Sequence, residues 1–289
     1  MDNHRRQHIL FWLIALVGAG ILSLVLAFLG AAPVPAASPI TWTPSAVSET
    51  ILAGETKNVP VSFTSSESLG NVVVRVVPEL QPYVQVTDSI TGISKGQTVI
   101  LNLRISAAAS TPPGVIEGTI QVRSNSGKNA RNFAKPLPIT FNIAWKLLQE
   151  DVLSYTLRYP GAWTVATSTS GAVEIFGRVS EGGTPNPGEM AGMCKVMLTS
   201  HENAARLSVS DWLRQAEVDS DSPPPIASAP ITVGGLTGIK EVIEEIGLTT
   251  TAYISSGDKV LSFQLFCGDD TMSEGEAVFS TLIESVSFK

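Results

Sequence analysis

Few residues in this chain have the types and spacing that do chemistry. Its 289 residues hold three histidines and two cysteines. His4 and His8 lie at the extreme N-terminus, so any histidine-based triad or His-containing metal site in the larger part runs through His201. That residue sits in the polar stretch TSHENAARLS and reads as a solvated loop side chain ahead of a helix. Zinc needs several His or Cys together, so no zinc site is expected. Gly92-Ile93-Ser94-Lys95-Gly96 has the spacing of a nucleophile elbow. An elbow requires a strand-to-helix turn, an oxyanion hole and a histidine, whereas this pentapeptide lies between short predicted strands. Asp219 with Asp221, and Asp269 with Asp270, offer oxygen ligands for calcium but lack the EF-hand pattern, and read as loop acids. Glu241, Glu244 and Glu245 do not alternate as a paired acid and base, and at least two should face solvent. P-loop and G-x-G-x-x-G patterns are absent. The expectation is a protein that is not an enzyme, with no metal and no cofactor.

Composition narrows the partners. Charged residues make up 16% of the chain, against roughly 25% in a typical soluble protein. The net charge is −7. Arg123, Lys128, Arg131 and Lys135 are scattered rather than clustered, so nucleic acid is not an expected partner.

The N-terminus reads as a membrane signal. An uncharged, mostly apolar run over residues 9–32 follows Arg5 and Arg6, and no further charge appears until Glu49. That length reaches the roughly 20 residues needed to cross a bilayer. The positive-inside rule then predicts residues 1–8 in the cytoplasm, an anchor over 9–32 with Trp12 near the inner interface, and the bulk outside the cytoplasm. Cleavage within AAPVPAAS, before Ala37 or Ser38, is the competing reading. The expected partners are the lipid bilayer, through this helix, and another envelope or membrane protein. In such a setting the two cysteines, Cys194 and Cys267, predict a disulfide, with two buried free thiols as the alternative. Without a C-x-x-C pattern, no redox role is expected.

Positioning these residues falls to two β-rich regions after a Pro/Ala linker over 33–41. Residues 42–144 read as about seven short strands separated by Gly and Pro turns. In Thr98–Ser106 the apolar Val99, Leu101, Leu103 and Ile105 alternate with their neighbours, which marks a buried face. This pattern predicts a β-sandwich. The segments TPPGVIEGTIQVRS and LPITFNI resemble bacterial immunoglobulin-like extracellular domains, a likeness that implies a stalk or spacer. The connection AWKLLQED contains no Gly, Ser or Pro and reads either as a stiff link or as a continuation of the last strand.

Residues 151–289 change character. An aromatic strand carrying Tyr155 and Tyr159 meets a Pro160-Gly161 break and Trp163, and these three aromatics are the expected core of a headpiece. Further strands are predicted at 172–178, 190–199, 237–246, 249–255 and 259–267. Ser208 with Asp211, and Ser273 with Glu276, have capping-box spacing for two helices. The second carries Phe279, Leu282, Ile283 and Val286 on one stripe. The reading is α+β, an antiparallel sheet with packed helices. The segments YTLRYPGAW, ITVGGLTGIKEV and FSTLIESVSFK resemble the PsbP/Mog1-like family, whose shared positions are structural. That resemblance implies an accessory or binding role and carries no ligand residue across. The full expectation is a membrane-anchored accessory or binding protein with its headpiece on an immunoglobulin-like stalk. The alternatives are a subunit of a membrane complex, photosynthetic or respiratory, and an enzyme with an inter-domain site.

Overall fold

Strict alternation along Thr98–Ser106 buries Leu101, Leu103 and Ile105 at 1% exposure or less, while Ile100 remains 64% exposed. Period-two patterns of this kind organise nearly all of the computed structural model. The model describes residues 38–289 except 89, 125–131, 151–153, 169–171, 180–191, 219–222, 245–246 and 269. The chain divides into two units, Met1–Pro39 and Ile40–Lys289.

The second unit opens with a sandwich. One sheet runs β1 (Ile40–Thr43), β3 (Thr56–Ser65), β8 (Thr98–Ser106), β6 (Val84–Val86). The facing sheet contains β5 (Val72–Val76), β9 (Gly114–Ser124) and β10 (Leu137–Glu150), with β2 (Val47–Leu52) paired parallel to β10. A small ribbon joins β4 (Leu69–Gly70) to β7 (Gly92–Ile93). Phe63, Phe141, Leu101 and Ile120 fill the space between the sheets with no exposure. Each such side chain contributes about 1.5–3 kcal/mol through removal from water.

Strand β10 is fourteen residues long and serves two structures. Its first half pairs with β9 and β2, and from Trp145 to Glu150 it pairs with β11 (Tyr155–Pro160). The AWKLLQED connection is therefore mostly strand, because Trp145 and Leu148 find apolar partners on the next lobe. The Ala162 amide donates to the Ala53 carbonyl at 3.0 Å, and the Trp145 indole donates to the Thr111 carbonyl at 2.8 Å. Gly161 is required here, since a Cβ would lie 2.7 Å from Leu52 Cδ2.

The headpiece is a seven-stranded antiparallel sheet in the order β12 (Thr164–Thr167), β13 (Val173–Arg178), β14 (Met193–Glu202), β18 (Lys259–Cys267), β17 (Leu248–Ser256), β16 (Leu236–Glu244), β15 (Ala227–Val233). Its inner face carries Val196, Leu198, Phe263 and Leu265 under the C-terminal helix Met272–Glu284, which buries Phe279, Leu282 and Ile283. The chain ends in β19 (Ser287–Phe288), paired with β11. Tyr155 is buried edge-on against Phe263 and Phe288, and Tyr159 packs partly buried on the same core. Trp163 is 2% exposed and donates to the Arg178 carbonyl at 3.0 Å. Its indole lies over Gly177, where a Cβ would fall 2.4 Å from the ring. Cys194 and Cys267 face each other across β14 and β18 and form a disulfide.

Several expectations are corrected. Among the described residues the fold includes no transmembrane helix, and those residues are mostly β. The two α-helices described, Val209–Val218 and Met272–Glu284, have ten and thirteen residues. At 1.5 Å per residue neither reaches the roughly 30 Å of a bilayer's hydrocarbon core. No described helix is long and apolar enough to cross a membrane. The run over 9–32, with Arg5, Arg6 and Trp12, lies outside the described residues. The bilayer partner and the single-pass localisation rested on that run alone, and no described helix supports them.

Two local readings also change. The segment ITVGGLTGIKEV, where only the strand over 237–246 is expected, forms the hairpin β15–β16, turned at Gly234 and Gly235, both with positive φ. Paired left-handed residues suit the tight hairpin turn that matches strand twist. The Ser273–Glu276 capping box does not form, since the helix begins at Met272 after Thr271 with no side-chain cap. Glu276 instead accepts from Lys240 Nζ at 2.7 Å and from the Thr250 hydroxyl, because the sheet supplies a cation beneath the helix.

Candidate functional site

The outer face of the headpiece sheet carries a group of polar and aromatic side chains. Alternation dictates which ones appear there. On β14, Met197, Thr199 and His201 point outward while Val196 and Leu198 point to the core. On β18 and β17 the same register brings Ser262, Gln264, Thr251 and Tyr253 to that face, and on β16 it brings Glu241 and Ile243. The helix Val209–Val218 crosses over them, started by the Ser208 hydroxyl, which accepts from the Asp211 amide at 3.2 Å. Between helix and sheet, with Pro223–Pro225 at one side, lies a cleft of about 550 Å³. That volume is within the range of small-molecule sites.

His201 is in strand β14, not in a solvated loop. Its Nε2 is 3.0 Å from Ser262 Oγ, and its ring lies 5.3 Å from that of Trp212. The Trp212 ring in turn lies 6.2 Å from Tyr253. Burial lowers the His201 pKa below its ordinary value, so the neutral imidazole is favoured. Glu241 is 7% exposed yet lines the cleft. Its charge is felt by Tyr253, whose pKa is raised first by burial and then by this carboxylate. Thr251, on the same face, offsets a little of that rise, although its buried Oγ1 reaches hydrogen-bond geometry with no described residue. Among the described residues, no lysine or arginine lines the cleft.

The His201–Ser262 pair has the spacing of a base and a nucleophile. It lacks the surroundings of one. Ser262 lies mid-strand in β18, between β14 and β17, and the amides around it are committed to those ladders. No backbone donor is left to hold an oxyanion at that serine.

The other readings of single residues resolve simply. Ser94 sits in a tight turn of the sandwich, its amide donating to Gln97 Oε1 at 2.8 Å, while His201 belongs to the headpiece sheet. Among the described residues no group of three or more His, Cys, Asp or Glu could hold a metal ion. Asp219, Asp221, Asp269 and Glu245 lie outside them. A second cavity, of about 500 Å³, lies where sandwich and headpiece meet, with Tyr83 and Arg178 as its ionisable side chains. It brings no acid and base together.

Sequence reasoning missed this cleft. Trp212 reads as an ordinary apolar helix position, and Tyr253 and Ser262 as strand residues. The available signal was the alternation in KEVIE and TTTAYIS, where a carboxylate and a tyrosine share the face opposite the core.

No family model matches the chain, and no curated protein does. Solved structures show distant likeness. A crystal structure from Bacteroides thetaiotaomicron VPI-5482 matches at 13% identity and TM-score 0.33, covering 50% of this chain and 48% of that one, so the match spans about half its length. The solution structure of cyanobacterial PsbP (CyanoP) from Synechocystis sp. PCC 6803 matches at 10% identity and TM-score 0.36, covering 50% of this chain and 93% of that one. A protein of unknown function from Porphyromonas gingivalis W83 matches at 12% identity and TM-score 0.29, over 82% of this chain and 87% of that one. At these scores the likenesses carry no functional argument.

Proposed function

We propose that this chain is a non-catalytic binding protein whose headpiece holds a small ligand between the helix Val209–Val218 and the outer face of its sheet. The observation that carries this reading is the cleft itself. It is concave and mostly apolar, with His201, Trp212, Glu241 and Tyr253 converging on it, the usual make-up of a small-molecule site. Against catalysis stands the lack of an oxyanion donor at Ser262, whose neighbouring amides are all in ladders. The sandwich acts as a support, joined to the headpiece through the shared strand β10.

A thermal-shift screen of small polar and aromatic compounds against the full chain tests the reading. Thr199→Phe, which fills the cleft from the sheet side, is the control. Compounds that raise the midpoint of the parent protein but not of this variant are expected. If every stabilising compound acts equally on both proteins, the cleft is not the binding site.

A further inference from the structure

The cleft's chemistry selects among ligands, and this inference rests on the binding reading above. Among the described residues its lining includes one carboxylate, Glu241, and no lysine or arginine. His201 adds no positive charge while it is neutral, and neutral is what its burial favours. An anionic ligand would therefore lose its hydration without meeting an opposite charge. A cation meets two complementary features. One is the Glu241 carboxylate, 7% exposed, where a hydrogen-bonded ion pair is shielded from water. The other is the run of rings His201, Trp212 and Tyr253, spaced 5.3 and 6.2 Å apart, whose faces attract positive charge. Thr251 Oγ1, on a residue 2% exposed, lines the same cleft and makes no hydrogen bond to a described residue. It can accept from an ammonium N–H. Met197, Ile243 and Leu213 supply an apolar wall for the rest of the molecule.

We infer that the headpiece cleft binds a small organic cation, an ammonium group carried on an apolar or aromatic body, with Glu241 and Thr251 taking the ammonium and Trp212 and Tyr253 taking the body.

Other places in the fold carry less. The inter-lobe cavity has the Arg178 side chain but no companion group that defines a ligand. The exposed Ile100, Val115 and Leu147 are single apolar residues with nothing to say what would cover them.

The test is isothermal titration of the full chain at pH 7.5 with three probes of one shape: benzylammonium, benzyl alcohol and benzoate. Benzylammonium is expected to bind at least tenfold more tightly than benzyl alcohol, with benzoate weakest. Glu241→Gln should erase that preference while leaving benzyl alcohol binding in place. Trp212→Leu, on the covering helix, keeps an apolar side chain without the π face. It should weaken benzylammonium at least fivefold more than benzyl alcohol, and it serves if the Glu241 variant fails to fold. Benzoate binding as well as benzylammonium overturns the cation assignment, as does an unchanged preference in both variants. So does a lack of measurable benzylammonium binding at millimolar concentration. If the probes bind equally and Thr199→Phe abolishes all three, the cleft reading survives and only the cation is lost. If they bind and Thr199→Phe changes nothing, both readings fail.

Discussion

His201 is the residue whose surroundings most change its meaning. The groups that face it are Ser262 and Trp212, with Tyr253 and Glu241 sharing the cleft and the Glu202–Lys259 ion pair beside it on the same two strands. Burial favours its neutral form, so the unfolded chain binds more protons than the folded one between the lowered pKa and the ordinary 6.5. Stability is then complete above about pH 6.5 and falls as the pH drops through that window. Ordinary carboxylates titrate near pH 4, below it. The thermal midpoint of the full chain should therefore decline from pH 7.5 to pH 5. His201→Gln, which can still hydrogen-bond Ser262, should flatten that decline. An equally steep decline in the variant would show that another group carries it.

At the scale of elements, the C-terminal helix is held at a separation that only glycine allows. A Cβ on Gly275 would stand 2.1 Å from Cys267 Sγ and 2.6 Å from Cys194 Sγ. The disulfide ties two strands together and has no flexible end to move aside. Helix propensity favours Gly275→Ala by about 1 kcal/mol, but overpacking a fixed core costs about 1–3 kcal/mol, so the clash wins. Urea denaturation should show Gly275→Ala less stable than the parent protein, and more so under oxidising than reducing conditions. A stabilised variant would mean that the helix lifts without cost. The spacing of Phe279, Leu282 and Ile283 already predicts this helix and its buried stripe. The need for glycine at position 275 shows only once the disulfide is seen against it.

For the whole molecule, β10 decides how the regions of Ile40–Lys289 behave. A cut at Asp151, the boundary that the sequence suggests for the second region, removes the strand that pairs with β11 and strips Trp145 and Leu148 from the headpiece core. A fragment of residues 145–289 keeps both. It should melt about 5 °C or more above a fragment of residues 151–289, since a loss of even 1 kcal/mol shifts a domain of this size by several degrees. Equal midpoints in scanning calorimetry would show that the shared strand contributes little.

Local period and composition carry a definite part of this protein. Alternation in Thr98–Ser106 and Lys259–Cys267, the stripe of the C-terminal helix, and the aromatic opening around Trp163 are all properties of neighbouring residues. The absence of P-loop, dinucleotide and zinc patterns is legible in the same way. Tertiary structure alone decided that Gly234-Gly235 turns a hairpin, that Glu276 leaves its helix end for Lys240, and that AWKLLQE continues a strand. It also decided the cleft. Glu241, Tyr253, Ser262 and His201 come from four different segments, and only the pairing of β14, β18, β17 and β16 puts them on one face. Pairing between strands depends on long-range contacts that no local window contains, and sites assembled across a sheet follow it.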